Sequence, residues 1–140
     1  MRLILDTNVV VAGMRSPAGA SAALIRAVRQ GQATLLLSPA LLLEYEAVCQ
    51  ATEHRRAAGL SRAEVDIVLD ALALLAETVT SYYRWRPQLR DPADEMVLEA
   101  AVNGRADGLV TFNRRDFGVA PMRFGIEVMS PAETLRRVIA

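Results

Sequence analysis

Apolar residues are clustered along the chain in short runs, which are separated by stretches with helical spacing. The first run extends from Arg2 to Val10 around Asp6-Thr7-Asn8, and we interpret it as a buried strand that presents Asp6 at its carboxyl end. Further runs rich in apolar, β-branched or aromatic residues predict strands at 33–37, 78–85, 108–111 and 126–129.

Start signals mark the helices between these runs. Ser38-Pro39 has the form of an N-cap followed by proline at the first helical position, and Ser61 with Glu64 has the form of a capping box. With the apolar periodicity, these signals predict helices at 22–29, 38–50, 61–77, 91–104 and from 130 onwards, with 51–59 as a helix end plus loop and 112–124 as a loop. Strands and helices alternate with short connections, which predicts an α/β fold: a central parallel sheet flanked by helices.

The composition limits the classes of function. With 140 residues, 52% of them apolar, residues 1–140 are expected to form one domain. The 16 basic residues are balanced by 16 acidic ones, which excludes a chain-wide basic field for duplex nucleic acid. All 16 basic residues are arginine, and the absence of lysine excludes P-loop and Schiff-base chemistry.

The single cysteine and the single histidine exclude a disulfide and a structural zinc site, which suits a reducing compartment. Cys49 lies in an apolar helical stretch and is expected to be a core residue. Neither a signal peptide nor a run long enough to span a membrane is recognisable. We therefore expect a soluble, cytoplasmic protein without a membrane partner.

Two aspartates lie where parallel strands and helices place functional groups. Asp6 follows the first strand, and Asp94 is the third residue of the helix that Asp91-Pro92 begins. Each has an ordinary alternative, because Asp6-Thr7-Asn8 is also a common turn sequence and Asp94 can complete a cap. The carboxyl ends of parallel strands meet at one edge of a sheet, so the functional interpretation brings the two carboxylates together there.

Further polar residues are expected at the same edge. Glu44 and Glu46 border the apolar face of the helix after Ser38-Pro39, and periodicity alone does not choose between them; a helical glutamate is also commonly a solvated charge. Asn113 and Asp116 follow the strand at 108–111 and flank two arginines. As ordinary loop residues these would be a solvated patch.

Carboxylates that crowd together without lysine or histidine repel one another unless a divalent cation neutralises them. Oxygen ligands of this kind select Mg²⁺ or Mn²⁺. Such an ion polarises a phosphoryl oxygen and lowers the pKa of water, which permits phosphodiester hydrolysis without a protein nucleophile. The arginines would then hold the substrate phosphates.

These motifs resemble PIN-domain endoribonucleases, particularly the toxin components of bacterial toxin–antitoxin pairs. The resemblance covers nearly the whole chain and rests on the order and spacing of Leu5-Asp6-Thr7-Asn8, Ser38-Pro39 with Glu44, Asp91-Pro92-Ala93-Asp94, and Val110-Thr111-Phe112-Asn113 with Asp116-Phe117. It implies a three-layer sandwich, a Mg²⁺ or Mn²⁺ site and cleavage of single-stranded RNA.

The resemblance also implies roles for single residues. Asp6, Glu44 and Asp94 match the three principal acids, which selects Glu44 over Glu46, and they would hold the ion directly or through its waters. Asn113 stands where many members of the family have an aspartate, and Asp116 is the candidate for the missing charge. Ligands or the attacking water would be oriented by Thr7, Asn8, Asp91, Thr111 and Asn113. The RNA backbone would bind Arg114 and Arg115, with Arg55 and Arg56 of the segment His54-Arg55-Arg56 as a second patch.

The expected partners are the RNA substrate, a small antitoxin that inserts into the acidic site, and a second copy of the chain. The helix at 61–77 and the aromatic residues Tyr82, Tyr83 and Trp85 are candidates for such a surface, with core packing as the alternative. Two other functions stay open. One is a PIN-like binding module without catalysis, and the other is phosphoryl transfer to Asp6, against which the lack of lysine counts.

Overall fold

The computed structural model describes residues 1–80 and 88–139, in which five strands form one sheet. The strands are β1 (Arg2–Leu5), β2 (Thr34–Leu37), β3 (Glu77–Thr78), β4 (Gly108–Val110) and β5 (Glu127–Met129). Each neighbouring pair is parallel, and the order across the sheet is β3-β2-β1-β4-β5. The predicted α/β fold with a central parallel sheet is confirmed.

Helices surround this sheet. Those in the described residues are α1 (Thr7–Arg15), α2 (Ala20–Arg29), α3 (Pro39–Cys49), α4 (Thr52–Ala58), α5 (Arg62–Leu75), α6 (Pro92–Asn103), α7 (Arg114–Phe117), α8 (Ala120–Arg123) and α9 (Pro131–Ile139). None of these combines the length and apolar character that crossing a bilayer requires. The capping box of Ser61 and Glu64 and the N-cap at Ser38 form as predicted.

The core follows from burial of the sheet. Leu3, Ile4 and Leu5 of β1 are fully buried, as expected for a parallel strand whose neighbours pack on both faces. Tyr45 is fully buried on α3 and Cys49 nearly so, which confirms that Cys49 is a core residue.

The strand order places the carboxyl end of β1 at a switch point. The chain runs outward from β1 through β2 to β3, and then returns to the other side of β1 as β4. Ligands in open α/β sheets bind in the crevice where the strand order reverses in this way. Asp6, directly after β1, and Thr111, directly after β4, flank this crevice.

The first strand ends before Asp6, as predicted, but the helix that follows it was not predicted. The strand ends at Leu5, and Asp6 becomes the N-cap of α1, where its side chain accepts from the Thr7 N–H. Val9, Val10 and Val11 are buried on this helix. Valine favours strands locally, but packing of the helix decides its conformation here.

Other differences concern short elements. Residues 51–59, predicted as a helix end plus loop, contain the separate helix α4, and residues 112–124, predicted as a loop, contain α7 and α8. The strand predicted at 78–85 is found as the two-residue β3, and its aromatic part lies outside the described residues. Helices of four to seven residues are too short for periodicity to identify.

Candidate active site

Asp6 is held rigidly at the end of β1. Its backbone N–H donates to the Val110 carbonyl at 2.9 Å, which continues the β1–β4 pairing by one residue. Oδ1 accepts from the Thr7 N–H at 2.8 Å, and Oδ2 accepts from the Thr111 hydroxyl at 2.7 Å. The carboxylate is only 7% exposed. Its orientation is therefore fixed before any ligand arrives.

The hydroxyl of Thr111 connects Asp6 to the segment after β4. While its proton is donated to Asp6, the Thr111 Oγ1 accepts from the Asn113 N–H at 2.9 Å. Thr111 is 1% exposed, so this link is shielded from water. Thr7 and Thr111 thus bind Asp6 directly, through a backbone N–H and a hydroxyl. Asn113 supports Asp6 indirectly, because its backbone N–H donates to Thr111.

A cleft of about 680 Å³ opens at this point, and we call it the acidic cleft. Its walls include the four predicted acids, Asp6, Glu44, Asp94 and Asp116, together with Asp91. The predicted supporting residues Thr7, Asn8 and Asn113 also line it. Glu46 is exposed and lies outside the lining, so α3 offers Glu44 to the cleft.

The carboxylate of Asp94 is not used to cap α6. Asp91 is the N-cap and accepts from the Ala93 N–H at 2.8 Å, whereas Glu95 accepts from the N–H groups of Gln88 and Leu89. Within the described residues, the side chains of Asp94, Glu44 and Asp116 make neither a hydrogen bond nor an ion pair. These carboxylates are available to a ligand.

Burial and mutual repulsion raise the pKa of two of these acids. The pKa of Asp94 rises from 3.8 to about 6, mainly because the carboxylate is desolvated and then because Asp6, Asp91 and Asp116 repel it. Desolvation also raises the pKa of Asp6, against the lowering effect of its hydrogen bonds from Thr111 and Thr7. In the part of the chain that the structure describes, no cation forms an ion pair with Asp6, Glu44, Asp94 or Asp116.

This donor set fits a hard divalent cation. Within residues 1–80 and 88–139, no three side chains of His, Cys, Asp or Glu are gathered closely enough to hold a metal ion by themselves. Mg²⁺, however, usually keeps several waters and binds through one or two carboxylates. Asn8 adds a buried Oδ1 that has no hydrogen-bond partner. The cleft suits an ion that one or two acids bind, with waters completing its ligands.

The predicted arginines lie in different surroundings. Arg114 pairs with Glu133 of α9, whereas Arg115 lines a second cleft of about 430 Å³ that shares Asp91, Asp94 and Asp116 with the acidic cleft. Arg55 donates from Nε to the Gln50 carbonyl at 3.0 Å, and neither Arg55 nor Arg56 lines the acidic cleft. Of the four, Arg115 is the one that lines a cleft together with Asp94.

The residues that line the acidic cleft without having been assigned to it from the sequence include two basic side chains and one aromatic side chain. Arg15 lies in the last turn of α1, His54 on α4, and Phe112 directly after Thr111, with 54% of its surface exposed. The spacing of Thr7, Val11 and Arg15, four residues apart, would have placed Arg15 on the cleft if α1 had been recognised. His54 was considered only as part of a basic segment.

Tyr45 links α3 to β1 beside the site. Tyr45 directly follows Glu44, and its buried hydroxyl donates to the carbonyl of Leu5, the residue before Asp6. The hydrogen bond therefore ties together the chain segments that carry these two acids.

We expect Tyr45→Phe to lower the free energy of unfolding by about 1–3 kcal/mol, because a buried carbonyl loses its donor. Urea denaturation measures this, with the exposed Thr80→Val as a control that should change it by less than about 0.5 kcal/mol. Equal stabilities would show that this hydrogen bond contributes nothing.

Comparison with known proteins assigns the chain to a family. The family model of the PIN domain matches residues 2–115, which include β1 to β4 and all the acids of the acidic cleft except Asp116. The comparisons with curated proteins and with solved structures each gave no significant match. PIN domains are generally nucleases, and they usually bind divalent metal ions. The chain belongs to the PIN domain family.

Proposed function

We propose that this protein is an endoribonuclease that depends on Mg²⁺ or Mn²⁺ and cleaves single-stranded RNA in the acidic cleft. One observation carries the proposal: at the switch point of the sheet, an immobilised Asp6 lies among carboxylates that form no ion pair with any cation of residues 1–80 and 88–139. A divalent cation supplies the missing positive charge, and phosphate supplies a substrate that such an ion can polarise.

Each residue of the cleft has a definite task in this proposal. Asp6 is oriented by Thr7 and Thr111, so that its carboxylate meets the ion without further rearrangement. Asp94 and Glu44 line the same cleft from α6 and α3, with carboxylates that no described residue binds. When bound, the ion supplies Lewis acidity and an activated water for attack on phosphorus. Hydrolysis would leave a 5′-phosphate and a 3′-hydroxyl.

The surface around the cleft favours an unpaired strand. Phe112 is more than half exposed at the cleft, where a nucleobase could stack on it only if that base were not paired. Arg115 extends the same surface into the second cleft. The net charge of zero provides no broad basic face for a duplex.

The test is cleavage of matched RNAs by the purified protein with Mn²⁺ present. We expect internal cuts in a single-stranded RNA that carries a label at one end, and cleavage at least about tenfold slower when the same strand is annealed to its complement, because duplex bases cannot stack on the protein. Products that shorten only from one end would contradict the endonuclease proposal. Retained Mn²⁺ binding with no cleavage of any RNA would instead support a binding module.

Phosphoryl transfer to Asp6 gains no support. The chain has no lysine, the residue that enzymes with an aspartate nucleophile often use to bind the phosphoryl group. Trapping of a phosphoryl group on Asp6 is the result that would revive it.

We also propose that the protein acts as the toxin of a toxin–antitoxin pair, with a small antitoxin and a second copy as partners. The exposed apolar residues Ile67 and Leu74, on the outer face of α5, support an interaction surface there. The candidates Tyr82, Tyr83 and Trp85 lie outside the described residues. Growth arrest of a bacterial host when the protein is induced would support the toxin role, and normal growth would contradict it.

A further inference from the structure

The acidic cleft has a second, basic part that the acids do not neutralise. Arg15 and His54 line the same cleft as Asp6 and Asp94, and they come from α1 and α4. Across the described portion of the chain, the Arg15 guanidinium has no ion pair and no hydrogen bond, although carboxylates line the same cleft. A cation and several anions therefore share one cleft without pairing.

Within residues 1–80 and 88–139, His54 is unpartnered as well. Its Nδ1 is buried and has no hydrogen-bond partner there. The other ring nitrogen, Nε2, also makes no hydrogen bond to a described residue and can donate to a ligand. Unpartnered polar groups are uncommon in folded proteins and commonly belong to sites that a ligand completes.

We propose that Arg15 and His54 bind the RNA phosphate next to the scissile one. This inference rests on the proposed function, and it names the part of the cleft that holds the substrate backbone. The planar guanidinium of Arg15 offers paired donors that match two phosphate oxygens, and the His54 Nε2 donates to the same group. The acids hold the scissile phosphate through the ion, while the neutral or positive residues hold its neighbour directly.

The division of charge explains why the cleft accepts a polyanion at all. Five acidic residues line it, and alone they would repel RNA. A separate basic part lets the strand enter on favourable contacts before the ion-dependent contacts are made. Arg15 and His54 are therefore positioning residues in this proposal, and they bind the substrate without taking part in the chemistry.

Binding without catalysis tests the proposal. The probe is a fluorescein-labelled single-stranded RNA oligonucleotide whose central nucleotides are replaced by 2′-deoxynucleotides. Its binding is measured by fluorescence anisotropy in EDTA. We expect Arg15→Ala to weaken binding at least about tenfold and to reduce the salt slope by about one, as loss of one phosphate contact should. Arg15→Lys should recover part of the affinity, because the charge returns without the planar fork.

The chain offers a matched control for Arg15. Arg29 is likewise an exposed arginine in the last turn of its helix, α2, and it lies outside the acidic cleft. Arg29→Ala should leave the affinity and the salt slope within about twofold of the unsubstituted protein. His54→Ala should weaken binding less than Arg15→Ala, because it removes one donor without removing a full charge. Thermal denaturation of each variant identifies any loss of fold.

The outcomes separate this inference from the proposed function. In the cleavage reaction with Mn²⁺, Arg15→Ala should raise KM at least about tenfold and change kcat by less than about threefold. If Arg15→Ala cleaves RNA as the wild type does, with the same KM and the same affinity for the probe, the inference is overturned and the nuclease proposal stands. Absence of cleavage by the wild type, with binding that still depends on Arg15 and not on Arg29, would overturn the nuclease proposal alone.

Discussion

The variants Asp6→Asn and Asp94→Asn are expected to cleave RNA roughly 1000-fold more slowly than the unsubstituted protein. An ion-binding carboxylate contributes several kcal/mol of charge stabilisation, and each 1.36 kcal/mol corresponds to about a tenfold change in rate. Both acids line the acidic cleft, and asparagine keeps the shape of the side chain while it removes the charge. Initial rates on the end-labelled single-stranded RNA measure the loss.

A purely structural role for these acids predicts a different result. Desolvation raises the pKa of both carboxylates, so ionised Asp6 and Asp94 destabilise the metal-free protein. Asp94→Asn should therefore unfold at the same temperature as the unsubstituted protein or higher, while activity falls; Asp6→Asn also loses an acceptor for Thr7 or Thr111 and is not expected to gain stability. Glu46→Gln, on the exposed side of α3, should keep both activity and stability. Lower melting temperatures together with normal cleavage would contradict the catalytic role.

Removal of divalent ions is expected to abolish cleavage, and Mg²⁺ or Mn²⁺ should restore it. Asp6 is prearranged, but the acids of the cleft repel a phosphate unless an ion supplies positive charge between them. The measurement is cleavage after dialysis against EDTA, followed by titration with each ion. Full activity in excess EDTA would contradict a metal-dependent mechanism.

The pH dependence of stability should have an unusual sign in the metal-free protein. The pKa of Asp94 is about 6 in the folded state and near 3.8 when unfolded, so between these values the folded state binds more protons than the unfolded state. Stability should consequently fall as the pH rises from about 4 to about 6 and then level off. The raised pKa of Asp6 acts in the same direction.

Bound Mn²⁺ should oppose this fall. The ion competes with the proton for the same carboxylates, so its affinity should increase by up to about tenfold per pH unit below the pKa of Asp94 and level off above it. Melting temperatures with and without Mn²⁺ between about pH 4.5 and about pH 7.5 measure both effects. Asp94→Asn should flatten both profiles. A melting temperature that rises with pH in EDTA and is insensitive to Asp94→Asn would contradict this account.

The candidate site shows where sequence patterns are sufficient. Ser38, Ser61 and Asp91 were recognised as helix starts because capping depends on side chains close in sequence, and the structure confirms each. Asp94 could not be assigned from its helix position, because capping and ligand binding require the same residue there. The assignment needed the structure, in which Asp91 caps α6 and Asp94 is left free.

The helix α1 shows where sequence patterns fail. Val9, Val10 and Val11 are typical of a strand, and only their packing in the folded chain makes them part of a helix. That error concealed Arg15, because a residue is assigned to a cleft only when the element that carries it is known. His54 was separated from Arg55 and Arg56 in the same way, since the direction of each side chain on α4 is set by tertiary packing.

The sequence by itself determined the alternation of strands and helices, the parallel sheet, and the position of Asp6 at the end of the first strand. These follow from local periodicity, from capping residues and from the rule that parallel strands end at one edge. Only the tertiary structure decided that Thr111 orients Asp6 and that Arg15 and His54 share the acidic cleft. Contacts between residues about a hundred positions apart depend on how whole elements pack, which no local pattern specifies.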